Sequence, residues 1–187
     1  MSSGWIVMGL LALVVGYLVM AYNGMVAMRR RGDQAFADID VQLKQRHDLI
    51  PNLIETVKGY ASHERETFDA VIKARQGAVS ASGQPSQGQA EQALSGAVGK
   101  LLALAESYPD LKASANFQSL QTELANVEDK LSAARRFFNN AVSEYNTSIE
   151  SVPAVFFASK FGFVTRPFFD LGEDNRTQLS VAPTVKF

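Results

Sequence analysis

No side chain between Ser2 and Met28 carries a charge, and from Trp5 to Tyr22 the chain is almost wholly apolar. These eighteen residues, as a helix, rise about 27 Å, close to the roughly 30 Å of hydrocarbon in a bilayer. Trp5 lies at one end and Tyr17 and Tyr22 toward the other, where amphipathic rings favour the headgroup level. Arg29, Arg30 and Arg31 follow at once. A cleaved signal would need a basic region before the apolar core and small residues after it. Met1-Ser2-Ser3-Gly4 has no Lys or Arg, which favours a retained, single-pass anchor over residues 1–28. Basic flanks stay in the cytoplasm, so the expected orientation has the N-terminus outside and the rest of the chain inside. The triplet also suits anionic headgroups. Ala12 and Gly16 form a small-xxx-small pair, with Gly9 nearby, of the kind that lets helices approach closely.

The remainder of the 187 residues has room for one ordinary domain. The chain has no Cys, which excludes disulfides, thiolate metal sites and a Cys nucleophile. A net charge of −1 offers no footprint for nucleic-acid phosphates, so no nucleic-acid partner is expected.

From Asp33 to about Val79 apolar residues recur at threes and fours: Phe36, Ile39, Leu43, Ile50, Leu53, Val57, Tyr60, Phe68, Val71. The pattern predicts one amphipathic helix, kinked or split at Pro51. Ser80–Gly88 reads as a loop, and a second helix follows from about Gln89 to Ser107 with Leu94, Val98, Leu101, Leu104 and Ala105 on one face. Tyr108-Pro109-Asp110 breaks it. Phe117, Leu120, Leu124, Val127, Leu131, Ala134, Phe138, Ala141 and Tyr145 then alternate three and four apart, a coiled-coil-like seam. Val152-Pro153 ends that helix, a short helix is expected to Phe161, and the tail reads as irregular. The fold class is therefore all-α: an N-terminal transmembrane helix, an antiparallel bundle over 29–161, and a tail over 162–187. Polar groups on the helix faces, Asn52, Arg75 and Asn146 among them, are expected to fix helix register.

Seven of the twelve Phe lie beyond residue 155: Phe156, Phe157, Phe161, Phe163, Phe168, Phe169 and Phe187. Burying one such ring is worth on the order of 2 kcal/mol, so they need an apolar destination. They cap their own bundle, contact a second subunit or partner, or enter a membrane interface. In a simple up, down and up topology three helices carry Val152 away from the bilayer, unless the Pro51 kink folds the rod over, which puts subunit contact ahead of the membrane.

Catalytic patterns are missing. His47 and His63, sixteen residues apart on one predicted helix, fall about 160° apart around its axis and cannot share an ion. His63-Glu64-Arg65-Glu66 lacks the second His of a zinc protease, and the paired motifs of a di-iron bundle are incomplete. The neighbour pairs His47/Asp48 and His63/Glu66 read as solvated or capping groups rather than an acid–base couple. No nucleotide loop or nucleophile elbow appears, so the expectation is no catalytic residue, metal or cofactor.

The stretch from Ile39 to Glu64, IDVQLKQRHDLIPNLIETVKGYASHE, resembles the signature of the bacterial LemA family. So do Tyr108-Pro-Asp-Leu-Lys-Ala113, Ala134-Arg-Arg136, Glu144-Tyr-Asn-Thr-Ser-Ile149, Pro153 and Gly162-Phe163. Phe138-Asn139 stands where that family usually has Tyr-Asn, and Val152-Pro153 where it has Phe-Pro. The resemblance implies a membrane-anchored helical bundle in a bacterial envelope, members being associated with membrane organisation, including magnetosome membranes, and with membrane proteases. It implies no activity, catalytic residue or cofactor. The expected role is a self-assembling scaffold in the bacterial inner membrane whose partners are lipids and further copies of itself. The alternative is an adaptor for a membrane protein such as a protease or transporter.

Overall fold

A computed structural model of the chain describes residues 2–81 and 84–169. Every regular element among them is helical: α1 (Ser2–Lys58), α2 (Arg65–Ser80), α3 (Gln84–Ala105), α4 (Pro109–Lys112) and α5 (Ala115–Glu150), then 3-10 turns at Ala154–Phe156 and Ser159–Phe161. The expected tail beyond Phe169, with Phe187, lies outside the described residues. The chain forms two compact units, to both of which α1 and α5 contribute. Unit 1 joins the chain up to Asp38 with Ala134–Phe168, and unit 2 is built on Ile39–Ala133.

Two sequence expectations change. First, α1 runs unbroken through Pro51, from the apolar segment to Lys58. A proline inside a helix lacks the N–H that would reach the carbonyl four residues back. Here that carbonyl belongs to His47, and the Arg75 Nε of α2 donates to it at 2.7 Å. The side chain supplies the donor that the backbone lost, and Pro51 itself faces solvent. Arg75 thus pairs α2 with α1 at the weakest point of α1, which is how it sets register.

Second, the break in the Asp33–Val79 pattern falls at Gly59–Glu64. Gly59 follows Lys58, Ala61 caps the turn with its N–H on the Val57 carbonyl, and Ala61 is buried. Tyr60, expected in the seam, is exposed, and His63 sits in the turn rather than on the helix of His47. The turn creates an extra helix. In unit 2, α2 runs antiparallel to α1, with Arg75 beside His47. The α3 helix runs parallel to α1, with Gln87 on Asp40 and Glu91 on Arg46 and His47. Finally α5 returns antiparallel, placing Glu128 by Arg46 and Leu120 and Leu124 by Ile50 and Leu53. Up, down, up, down replaces up, down, up.

The unit 2 core takes Ile50, Leu53, Ile54 and Val57 from α1, Phe68 and Val71 from α2, and Leu94, Val98 and Leu101 from α3, closed by Leu111 of α4 and Phe117 of α5. The seam of α5 is as expected: Phe117, Val127, Leu131, Phe138, Ala141 and Tyr145 are all buried. The helix α3 begins at Gln84, five residues before the expected start, with Pro85 in its first turn, where a missing N–H is harmless.

Replacing Arg75 by Ala leaves the His47 carbonyl without its donor and should cost about 1–3 kcal/mol. Pro51→Ala restores an N–H in the right place, so R75A should cost clearly less in the P51A background. Urea unfolding of the four proteins of this cycle measures the coupling, and equal costs in both backgrounds would remove the link between Pro51 and Arg75.

Candidate functional site

Two polar or aromatic clusters stand out, one in each unit. In unit 2 the buried polar side chains among the described residues are Arg46, His47 and Glu91. Glu91 is 0% exposed and Arg46 4%. Arg46 Nη1 donates to Glu91 Oε2 at 2.9 Å and Nη2 to Ser95 Oγ at 2.7 Å, while Nε faces Glu128 Oε2 at 3.5 Å. His47 Nε2 lies 2.6 Å from Glu91 Oε1. One carboxylate is thereby engaged by two basic side chains of α1. A buried charge is tolerated only when paired, and stripping one partner from such a set costs about 3–5 kcal/mol. The sequence pairing of His47 with Asp48 does not form: Asp48 is exposed and meets Lys44 at 3.4 Å. His63 and Glu66 are not together at the core either, His63 being exposed in the turn and Glu66 exposed at the start of α2. Neither Arg46 nor Glu91 is among the candidate residues of the sequence analysis. Each occupies a gap in an apolar series, Arg46 between Leu43 and Ile50 and Glu91 three residues before Leu94, and a charge at a seam position is the signal for a buried pair. Through these contacts the cluster ties α1 to α3 and α5. No group of three or more His, Asp and Glu among the described residues is arranged to hold a metal ion.

The second cluster is in unit 1, where α5 returns along α1. Phe138 meets Phe36 with ring centroids 5.6 Å apart, and Glu144 accepts from Arg31 Nη1 at 3.2 Å. Tyr145 and Ile149 share a buried core with Met25, Ala158 and Phe163. Phe161 and Phe163 then stand edge-on to Tyr22, each at 5.5 Å. The Phe-rich end therefore lies beside the C-terminal end of the apolar segment, not far from it. The four-helix path explains the reversal, since an even number of passes brings the chain back to its starting end.

The return is clamped by polar groups. After a cis Val152–Pro153 bond and two 3-10 turns, Gly162 adopts φ +75°, a conformation a side chain would strain. The reversal there sends the Phe163 N–H back to the Ala158 carbonyl at 3.1 Å and the Phe163 ring into the core. Tyr145 Oη donates to the Val164 carbonyl at 3.0 Å. Asn146 brackets Arg166, accepting its N–H and donating to its carbonyl, both at 2.9 Å. Asn146 thus holds the returning chain rather than helix register. Arg166 Nη1 reaches Asp33 Oδ1 at 2.7 Å and the Arg29 carbonyl at 3.2 Å. It crosses α1 at Gly32, where an added Cβ would come within 3.0 Å of its Nη1.

The anchor residues read from the sequence fall as follows. Trp5 is exposed, and no residue in the apolar window of α1 is buried inside the chain. This is the one helix among the described residues that is long and apolar enough to cross a membrane. Ala12 and Gly16 are also exposed, and a Cβ added at Gly9 or Gly16 would meet nothing. Tyr22 is engaged by aromatic rings. The arginines do more than flank the segment: Arg29 lies over the Phe163 ring at 5.5 Å, Arg31 pairs with Glu144, and Arg30 is exposed, 3.9 Å from Asp33. Of the aromatic contact residues, Phe163 and Phe169 are buried within the chain, Phe157 is half-buried, and Phe156, Phe161 and Phe168 are exposed.

The profile of the LemA family matches residues 35–187. The chain belongs to the LemA family. Among curated proteins it is similar to the magnetosome protein MamQ of Magnetospirillum gryphiswaldense, 26% identical over 178 residues, which covers 81% of this chain and 65% of that protein. The magnetosome proteins MamQ 1 and MamQ 2 of Paramagnetospirillum magneticum are each 26% identical over 181 residues, covering 83% of this chain and 66% of theirs. The chain thus spans just under two thirds of the length of these relatives. LemA membership and the apolar N-terminal helix together make this a membrane-associated protein.

Asn146→Ala removes both bonds to Arg166 while leaving α5 intact. In detergent-solubilised protein, tryptic cutting after Lys160 should become several-fold faster with helicity unchanged; an unaltered rate would mean that the clamp does not hold the returning segment.

Proposed function

We propose that this LemA-family protein is a non-catalytic structural component of the bacterial inner membrane that self-assembles and organises or shapes the bilayer around it. The observation that carries this reading is the join between anchor and body. Nothing resembling a flexible linker separates them: α1 passes from the apolar segment straight into the unit 1 core, where Met25 is 3% exposed. A tether for an enzyme or a recruiting module works best when slack, whereas a helix continuous with a packed body transmits force and tilt between the two. The uncovered Ala12/Gly16 face provides a route for anchor helices to pair. Both oxygens of the buried Glu91 carboxylate are engaged, one by Arg46 and one by His47, which favours a structural use of that cluster. The arginine triplet supports an orientation with the N-terminus outside and the folded body in the cytoplasm.

A second reading, an adaptor that recruits a partner membrane protein, draws on Val41, Ile72 and Val79, apolar side chains exposed on unit 2.

The mass of the full-length protein in nanodiscs should correspond to a discrete oligomer, and the A12L/G16L double variant should shift it toward monomer. A monomeric wild-type chain, recovered from native membranes with a different protein bound, would favour the adaptor. Orientation is checked separately: protease added outside intact cells should leave the folded body uncut, and its digestion would reverse the assignment.

A further inference from the structure

The segment from Val152 to Val164 combines two properties that do not suit water. It carries Val152, Val155, Phe156, Phe161 and Val164 exposed, with Val152 at 75% and Phe156 at 71%. Its single charged residue is Lys160, also exposed. Side chains of this size left uncovered within a few residues of one another mark a surface with a partner.

Its position identifies the partner. Phe161 closes a shallow apolar crevice whose other walls are Val15, Leu18, Val19 and Tyr22. On the other side of α1, Val152, Pro153 and Ala154 face Tyr17, Ala21 and Met25. The segment therefore overlaps the last one to two turns of the apolar stretch, about 5–10 Å of its length. Those turns belong to the hydrocarbon and headgroup boundary of whatever bilayer α1 crosses. Whatever surrounds Leu18 and Tyr22 also surrounds Phe161, and Val152 lies at the same level as Tyr17 and Ala21.

We propose that residues 152–164 are an interfacial foot, seated in the headgroup–acyl boundary of the same bilayer that α1 spans, with Val152, Phe156 and Phe161 entering the acyl edge. Continuity with the apolar span selects this occupant over a second copy of the chain. Charge agrees: Lys160 and Arg30 are exposed at this end, and Arg29 stands over Phe163, so basic groups border the aromatic ones as they do in elements lying in an anionic interface. The clamp formed by Tyr145, Asn146 and Gly162 then has a purpose, because it presents the foot at a fixed depth. The proposal rests on the membrane-anchored reading but not on self-assembly, so the nanodisc mass and the depth of the foot fail independently.

The chain has no native Cys, so single-cysteine variants label uniquely. V152C and F156C replace exposed side chains and leave the core untouched. F137C is the control: Phe137 is equally apolar and more than half exposed, but it neighbours Phe138, which packs on Phe36, fourteen residues and about 21 Å further along α1 than Tyr22. Each full-length variant carries a bimane label and is reconstituted into vesicles containing phosphatidylglycerol and a lipid with a nitroxide at acyl carbon 5. Lipid quenching should be several-fold greater at 152 and 156 than at 137, and quenching by aqueous iodide should show the opposite order. Labels at 152 and 156 quenched by iodide as readily as at 137 would put the foot in water and overturn the proposal. Labels shielded from both quenchers would show that protein covers the segment, which also overturns it.

Discussion

A helix that must pass a proline without breaking is the constraint around which unit 2 is arranged. Pro51 takes one hydrogen bond out of α1, and the freed carbonyl of His47 is met by Arg75 from α2. Because α1 survives there, Arg46 and His47, about one turn earlier, meet Glu91 of α3. The proline, the guanidinium that answers it and the buried carboxylate form one connected set, tying three helices within a few turns of one another. This gives the long LemA-like stretch around His47 and Pro51 a physical reading as a joint for helices.

Unit 1 depends on a different fact, the parity of the chain path. The turn at Gly59–Glu64 adds a helix, and the added helix brings α5 home along α1, Glu144 against Arg31 and Phe163 against Tyr22. An odd number of passes would have left the aromatic segment at the opposite end from the anchor. A six-residue turn thus decides which environment a dozen later residues meet.

Much of this was legible in residue spacing. The seam from Phe117 to Tyr145, the break at Tyr108-Pro109 and the end of α5 before Pro153 all follow from periodicity and proline chemistry. The turn after Lys58 is hidden in the spacing, because Val57, Tyr60, Phe68 and Val71 keep a helical rhythm across it, even though Gly59 behind Lys58 is an ordinary stop signal. Pro51 does not split α1 for the complementary reason: the lost donor is replaced by a side chain on another helix, which spacing within α1 does not reveal. Arg46 and Glu91 left visible gaps in their apolar series. Asn146 and Tyr145 left none, since their partners are backbone atoms of residues 164–166, and a carbonyl acceptor has no sequence signature.

The pairing of α1 with the returning chain also sets an order of events during synthesis. Arg31 and Glu144 are 113 residues apart, and Asp33 and Arg166 are 133 apart. Closing loops of that length is slow, and on a growing chain it is impossible until the later partner has been made. The partners within unit 2 are nearer, Arg46 and Glu91 lying 45 residues apart. Helices α1 to α3 are thus ready to associate while the ribosome is still making α5. Tyr22 and Met25 emerge early and wait for aromatic and aliphatic partners that lie more than a hundred residues further along the chain. Unit 1 is therefore a closure made after the fact, and a chain stopped short of Gly162 would reach the membrane with its anchor but without the segment that fastens anchor to body.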